Sequence, residues 1–114
     1  MPVRSLDTPI LKWPSREEVL AAAAAWAREL SARDRRVRAV GVFGSYARGD
    51  AGVGSDLDLV VLVRDGAGAP LFDVSGLPVP AETVVFEETP WRHASREATG
   101  IARTIAADVR WLIS

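Results

Sequence analysis

The stretch GSYARGDAGVGSDLDLVV, residues 44–61, joins a glycine-rich segment to the strongest strand pattern in the chain. Residues 57–63, LDLVVLV, form a short run of branched apolar residues, which favours a strand. Apart from its second residue, the run is apolar at both alternating sets of positions, as is typical of a central strand covered on both faces. The glycine-rich residues 44–56 predict a turn and a loop. A loop is therefore expected to lead directly into the core.

Two carboxylates stand at the start of this strand. Asp56 and Asp58 are two positions apart, so their side chains point to one face of the sheet. Val60 and Leu62 share that face, so two like charges adjoin a core, where they repel each other and are desolvated. A divalent cation would compensate them, and oxygen ligands suit Mg²⁺ or Mn²⁺. The alternative is an ordinary strand with a half-exposed polar face, which the apolar residues further along disfavour.

Gly44 and Ser45 lie where a second strand pattern, residues 37–43, ends. Glycine permits a positive φ and the close approach of a ligand. Backbone N–H groups in such a turn attract anions such as a phosphate tail, and Ser45 adds a hydroxyl. Alone, a Gly-Ser pair indicates no more than a turn, so this interpretation depends on the carboxylates nearby.

Capping signals mark two helix starts. Ser15 and Glu18 have the spacing of a capping box ahead of an apolar stripe with helical period. Thr89 followed by Pro90 suits a helix start, with the hydroxyl as cap and proline at the first helical position. The expected elements are a helix over 15–33, strands over 37–43, 57–63 and 82–86, a helical stretch from 89 toward 107 that is interrupted near Gly100, and a last strand over 109–113.

Length and composition indicate one globular domain. The 114 residues match a typical domain, and a hydrophobic content of 48 % is too high for a disordered chain. Residues 1–14, interrupted by prolines, are expected to form a loosely docked arm. The net charge of −1 comes with scattered basic residues rather than the concentrated basic face that nucleic-acid binding usually requires. A nucleic-acid partner is disfavoured and stays open.

The compartment is inferred from features that the sequence lacks. There are no cysteines, so disulfides and thiolate metal sites do not occur. No apolar stretch has the length of a signal peptide or of a membrane span. The expected location is the cytoplasm.

The motif formed by these residues resembles a known family. Gly44-Ser45, ten further residues and Asp56-Leu57-Asp58 resemble the signature of the DNA polymerase beta-type nucleotidyltransferase superfamily. The fuller string is most similar to the minimal nucleotidyltransferases of bacteria and archaea, and the resemblance runs from about Val37 through Trp91. It implies an α/β (α+β) fold, the polymerase beta-like nucleotidyltransferase fold, with a small mixed sheet flanked by helices.

That family uses a third carboxylate on a neighbouring strand, usually an aspartate before an apolar run. The matching residue here is Glu82, which shares a strand face with Val84 and Phe86. Glutamate is one methylene longer than the usual aspartate, a departure that bears on catalytic competence. Glu87 and Glu88 lie past the apolar run and are expected to be solvated.

The resemblance also implies roles for single residues. Asp56, Asp58 and Glu82 would be the catalytic and metal-binding carboxylates for Mg²⁺ or Mn²⁺, and Gly44 and Ser45 would hold the phosphates of an NTP, ATP being the expected substrate. Two further residues are candidates for nucleotide binding. Arg48 either reaches a phosphate or braces the loop through backbone carbonyls, and Ser55 either contacts phosphate or orders the loop. Tyr46 is expected to pack rather than to stack on a base.

Three functions are compatible with these features. The first is transfer of a nucleoside monophosphate to a hydroxyl, including a tyrosine of a helical HEPN-type partner protein, which is an antitoxin role. The second is an antitoxin module that keeps the nucleotide pocket and acts on its partner by contact alone, in a homo- or hetero-oligomer. The third, an antibiotic- or RNA-modifying transferase, is disfavoured because the chain lacks room for an acceptor domain and lacks a basic groove.

Overall fold

The computed structural model describes residues 13–114. Its elements, in chain order, are α1 (Arg16–Arg33), β1 (Val37–Phe43), α2 (Ser45–Arg48), β2 (Leu57–Val63), β3 (Ala81–Glu87), α3 (Glu88–Ala94), α4 (Ile101–Asp108) and β4 (Arg110–Ile113). The arm expected over residues 1–14 lies outside the described residues, except for Trp13 and Pro14. In the described part, no helix is long and apolar enough to cross a bilayer.

The four strands form one mixed sheet in the order β3-β2-β1-β4. β1 pairs antiparallel with β2 and with β4, whereas β2 and β3 are parallel. Parallel neighbours need a long return connection, and residues 64–80 supply it. Trp26 of α1 anchors this connection, because its Nε1 donates to the Asp73 carbonyl at 2.9 Å. The small mixed sheet flanked by helices confirms the predicted α/β (α+β) fold.

Both faces of β2 are covered, as its apolar run predicted. Leu59 and Val61 pack in the core beneath α1. Val60 and Leu62 face the other way and pack beneath α3 and α4. Burying each of these side chains stabilises the fold by roughly 1.5–3 kcal/mol. Asp58 is on the same side of the strand as Val60, so its carboxylate adjoins the second core.

The start of α3 differs from the prediction. The helix begins at Glu88, and its N-cap, Glu87, makes no side-chain cap hydrogen bond. Thr89, predicted to be the cap, lies in the first turn, where its N–H and its hydroxyl both donate to the carboxylate of Asp65. An ionised acceptor binds a donor more strongly than a neutral one. Because the Thr89 hydroxyl is bound to Asp65, it does not cap the helix.

The other helix ends follow their sequence signals. Ser15 and Glu18 form the predicted capping box at the start of α1. The later helical stretch is interrupted as expected, since α3 ends at Ala94 and α4 begins only after Gly100. Gly100 has a φ of 109°, which side-chain-bearing residues rarely adopt.

Candidate functional site

Four strand ends meet at one edge of the sheet. The register pairs Phe43 with Asp58, and Asp58 with Glu82. On the other side of β1, Val42 pairs with Arg110 at the start of β4. The end of β1 therefore lies between the starts of β2 and β4, and the start of β3 lies beside that of β2. This edge, termed the acidic edge below, comprises Gly44, Asp56, Asp58, Glu82 and Asp108.

Asp58 and Glu82 are register partners on parallel strands, so their side chains leave the same face from backbones about 5 Å apart. Asp58 is half-buried, whereas Asp56 and Glu82 are exposed. Burial raises the pKa of Asp58 above its ordinary value, and the negative charges of Glu82 and Asp56 raise it further. The three carboxylates therefore act on one another, and a positive charge among them would relieve their repulsion.

Gly44 lies directly against Asp58. Its φ is 75°, in the region that favours glycine. A Cβ at this position would also collide with Oδ2 of Asp58. The positive φ thus favours glycine, and a Cβ would in addition force the Asp58 carboxylate to shift. The turn after β1 begins in contact with that carboxylate.

Residues 45–48, predicted as part of a loop, instead form the single helical turn α2. Its anchor is Tyr46, whose side chain is only 2 % exposed. Trp13 Nε1 donates to the Tyr46 hydroxyl at 3.4 Å, and Arg16 Nε donates to the Tyr46 carbonyl at 3.0 Å. Tyr46 is a packing residue, as the sequence interpretation favoured, and it fixes the turn against α1.

Ser55 orders the loop between α2 and β2. Its Oγ accepts a hydrogen bond from the Gly52 N–H at 2.9 Å. Of the two roles considered for Ser55, the structure shows the one within the loop. Ser45, the first residue of α2, is half-buried beside Gly44.

Arg48 forms two ion pairs at this edge. Its Nε donates to Asp50 Oδ2 at 3.3 Å, and its Nη1 donates to Asp108 Oδ2 at 3.0 Å. Arg48 therefore braces the loop through carboxylates, not through the backbone carbonyls considered from the sequence. Asp108 was missed by the sequence analysis. An acidic residue just before an apolar strand, the pattern that singled out Asp56, is the signal that could have found it.

The donor chemistry of the acidic edge suits a hard divalent cation, because its ligand candidates are carboxylate oxygens. Within residues 13–114, however, no three Asp, Glu, His or Cys side chains already form a cluster that could hold a metal ion. Burial and, next, the charges of Glu82 and Asp56 raise the pKa of Asp58. Cation binding would thus require the exposed side chains of Asp56 and Glu82 to turn toward Asp58.

Comparisons with known proteins give a family match and a structural match. The family model of the nucleotidyltransferase domain matches residues 26–105, which include β1, β2, β3 and every acidic-edge residue except Asp108. No curated protein matches significantly. A crystal structure from Sulfolobus solfataricus, whose assignment as a nucleotidyltransferase is itself provisional, matches with a TM-score of 0.56 and 20 % identity over 84 % of this chain and 80 % of that one.

The structural likeness supports the fold, and the family model covers most of the sequence. Both agree with the resemblance of the Gly-Ser and Asp-Leu-Asp motif to polymerase beta-like enzymes of the minimal type. The chain belongs to the nucleotidyltransferase domain family.

Proposed function

We propose that this protein is a metal-dependent nucleotidyltransferase that moves a nucleoside monophosphate, most simply AMP, from an NTP to an acceptor hydroxyl. The observation that carries the proposal is the register pairing of Asp58 with Glu82 beside Gly44. Together with membership of the family, this arrangement supports transfer of a phosphorus-containing group rather than another use of an acidic surface.

Asp56, Asp58 and Glu82 are the residues that would hold Mg²⁺ or Mn²⁺. A bound divalent cation supplies charge neutralisation for a triphosphate and lowers the pKa of a coordinated hydroxyl. Glu82 is exposed, so the extra methylene of its side chain has room to adjust. Burial raises the pKa of Asp58, and the negative charges of Glu82 and Asp56 raise it further; a bound cation would offset both effects.

The other residues of the edge would bind and orient the substrate. Gly44 brings the turn against Asp58, so phosphates bound by the turn and by the Ser45 hydroxyl would lie beside the carboxylates. Arg48 would donate to a phosphate oxygen, as guanidinium groups commonly do. The acceptor oxygen attacks the α-phosphorus, its proton passes to the Glu82 carboxylate, and the bond to pyrophosphate breaks.

The test is label transfer from each α-³²P-labelled NTP in the presence of Mg²⁺ and candidate acceptors. Asp56→Asn combined with Asp58→Asn should lower the transfer rate on the order of a thousandfold, because several kcal/mol of transition-state stabilisation are lost. Glu97→Gln is the matched control, since Glu97 is an exposed acid in the α3–α4 connection. Circular dichroism should show the same fold in all variants.

If the double variant transfers label as fast as the parent, the acidic edge does not take part in the reaction. Glu82→Asp supplies a finer check, because it restores the aspartate that the family usually has. It should preserve or raise the rate, and a large loss would show that Glu82 is not the third carboxylate.

A second function, contact-only neutralisation of a helical HEPN-type partner, is favoured by two observations. The described residues hold no ready three-ligand cluster, and Glu82 stands where the family usually has an aspartate. Incubating parent and double variant with such a partner and an NTP, followed by mass spectrometry, separates the two functions. A nucleotide added to a partner tyrosine supports transfer, whereas equal neutralisation by both proteins without modification supports contact alone.

A further inference from the structure

Asp108 lies at the acidic edge because the strand that follows it, β4, pairs with β1. It ends α4 and precedes β4, which pairs with β1 and is separated from β3 by two strands. The pairing of Arg110 with Val42 places the start of β4 beside the end of β1, where Gly44 follows. Asp108 is thus brought to the site by tertiary pairing, 50 positions after Asp58 in the chain.

The carboxylate of Asp108 is held by Arg48. Its side chain is 24 % exposed, and Oδ2 accepts from Arg48 Nη1 at 3.0 Å. The other oxygen, Oδ1, is buried and has no hydrogen-bond partner in the described part of the chain. A buried oxygen without a partner is unusual in native structures and costs free energy. Arg48 is therefore the principal compensation for this charge.

Two of the three nitrogens of the Arg48 guanidinium are engaged by carboxylates. Nε donates to Asp50 and Nη1 donates to Asp108, while Nη2 makes no hydrogen bond to any residue of 13–114. Because the guanidinium is a rigid planar fork, fixing Nε and Nη1 also fixes the direction of Nη2.

We propose that Asp108 is a positioning residue that orients Arg48 so that its Nη2 donates a hydrogen bond to a phosphate oxygen of the NTP. The proposal rests on the proposed function, since it concerns the same nucleotide. Gly44 precedes the helical turn α2, and Arg48, four residues later, ends it. A group bound at the start of this turn would therefore lie near the Arg48 side chain.

Stabilisation of the fold does not by itself explain the ion pair between Arg48 and Asp108. The Arg48 side chain is 51 % exposed, and exposed ion pairs contribute little to the free energy of unfolding. An exposed ion pair can still orient a guanidinium group that binds substrate.

The first readout is the ¹H–¹⁵N signal of the Arg48 Nε–H group. Asp108→Asn should move this signal and the amide signals of residues 45–49. The matched control is Asp34→Asn, which removes a comparable ion pair, with Arg36 at 2.8 Å, on the α1–β1 turn. The control should leave the Arg48 signal in place. If Asp108→Asn does not fold, Asp108→Glu takes its place, because it keeps the charge and moves the carboxylate by one methylene.

The second readout is equilibrium binding of α,β-methylene-ATP with Mg²⁺, which reports binding without turnover. Asp108→Asn should weaken binding about tenfold, the scale of one charge-assisted hydrogen bond. Binding of adenosine should not change, because it has no phosphate. Arg48→Ala combined with Asp108→Asn should bind no more weakly than Arg48→Ala alone, since Asp108 acts through Arg48.

The outcomes separate the two proposals. An Arg48 signal unchanged by Asp108→Asn overturns the positioning role, whatever the protein's activity. A moved signal with parental affinity for the analogue also overturns it, while the proposed function stands. A parent protein that binds no nucleotide ends the proposed function and the phosphate role of Arg48 together.

Discussion

Single residues bring the turn and the carboxylates of the acidic edge together. Gly44 has no side chain, and Asp58 fills the space that a Cβ would need. The carboxylate of Asp58 is consequently crowded by backbone on one side and by the charges of Glu82 and Asp56 on the other. A methyl group at this position would strain the backbone and displace the Asp58 carboxylate.

Gly44→Ala is expected to destabilise the protein by about 1–3 kcal/mol, because alanine is strained at positive φ and its Cβ meets Asp58. The urea midpoint should fall. Gly52→Ala is the control, since Gly52 has open space around its Cβ position and no positive φ. If the two variants unfold at the same urea concentration, the contact with Asp58 does not constrain the turn.

β4 packs closely against its neighbour β1 at Gly41. A Cβ on Gly41 would lie 2.7 Å from Val109 Cγ2, 2.9 Å from Trp111 Cε3 and 3.2 Å from the Arg110 carbonyl oxygen. The pairing of these strands is also what carries Asp108 to the acidic edge. The glycine therefore controls the position of a whole strand and, through it, of a residue in the site.

Gly41→Ala should lower the free energy of unfolding by about 1–3 kcal/mol, because a methyl group is forced into a filled space. Urea titration measures the loss. Gly76→Ala serves as the comparison, since nothing lies within 4 Å of its Cβ position. A Gly41→Ala protein as stable as the parent would mean that β4 is packed more loosely than described.

The turn between α1 and β1 should make stability depend on pH. Hydrogen bonds from Arg36 lower the pKa of Asp34 from 3.8 to about 2. Because the native pKa is below the unfolded value, ionised Asp34 stabilises the fold above pH 3.8, and this contribution is lost as the pH falls toward 2.

Asp34→Asn should therefore lower the urea midpoint at neutral pH, and its difference from the parent should shrink between pH 4 and pH 2. Urea titrations at several pH values check the sign. A difference that grows on acidification would contradict the assigned pKa direction.

Elements with strong local signals could be predicted, and those set by distant partners could not. The bounds of β1 and β2 follow from runs that are apolar except at their second residues, Arg38 and Asp58, and that are followed by Gly44 and Arg64. α2 has only four residues, too few to show an apolar stripe. The cap expected at Thr89 was lost to Asp65, 24 positions earlier in the chain.

The residues of the candidate site likewise include some that local sequence identifies and some whose place depends on distant partners. The Gly-Ser and Asp-Leu-Asp motif is local, so the sequence could identify Gly44, Asp56 and Asp58. Glu82 required the added knowledge of a family pattern. The place of Asp108 depends on the pairing of β4 with β1, which no local pattern contains.

At the scale of the whole molecule, residues 13–114 form two cores separated by the sheet. One lies beneath α1 and includes Val19, and the other lies beneath α3 and α4 and includes Ile105. No buried residue belongs to both clusters in the part of the chain described. Side chains on opposite faces should therefore contribute independently to stability.

Val19→Ala should cost about 2 kcal/mol, and Ile105→Val about 1 kcal/mol, through loss of buried methyl groups. The double variant should lose the sum within about 0.5 kcal/mol, because the sites share no partners. Urea titration of the four proteins completes the cycle. A larger discrepancy would show that the sheet transmits packing changes from one face to the other.

The long return between β2 and β3 has a consequence for how this scaffold can vary. Residues 64–80 leave the sheet at one end and re-enter at the other, and the alignment of Asp58 with Glu82 is fixed by strand pairing, not by the length of that excursion. Part of the segment is fixed, because Val79 is buried and the Asp73 carbonyl is bound by Trp26. Leu71 is 98 % exposed, so insertions beside it would cost little loop-closure entropy. New surface could be added at that point without changing the pairing of Asp58 with Glu82.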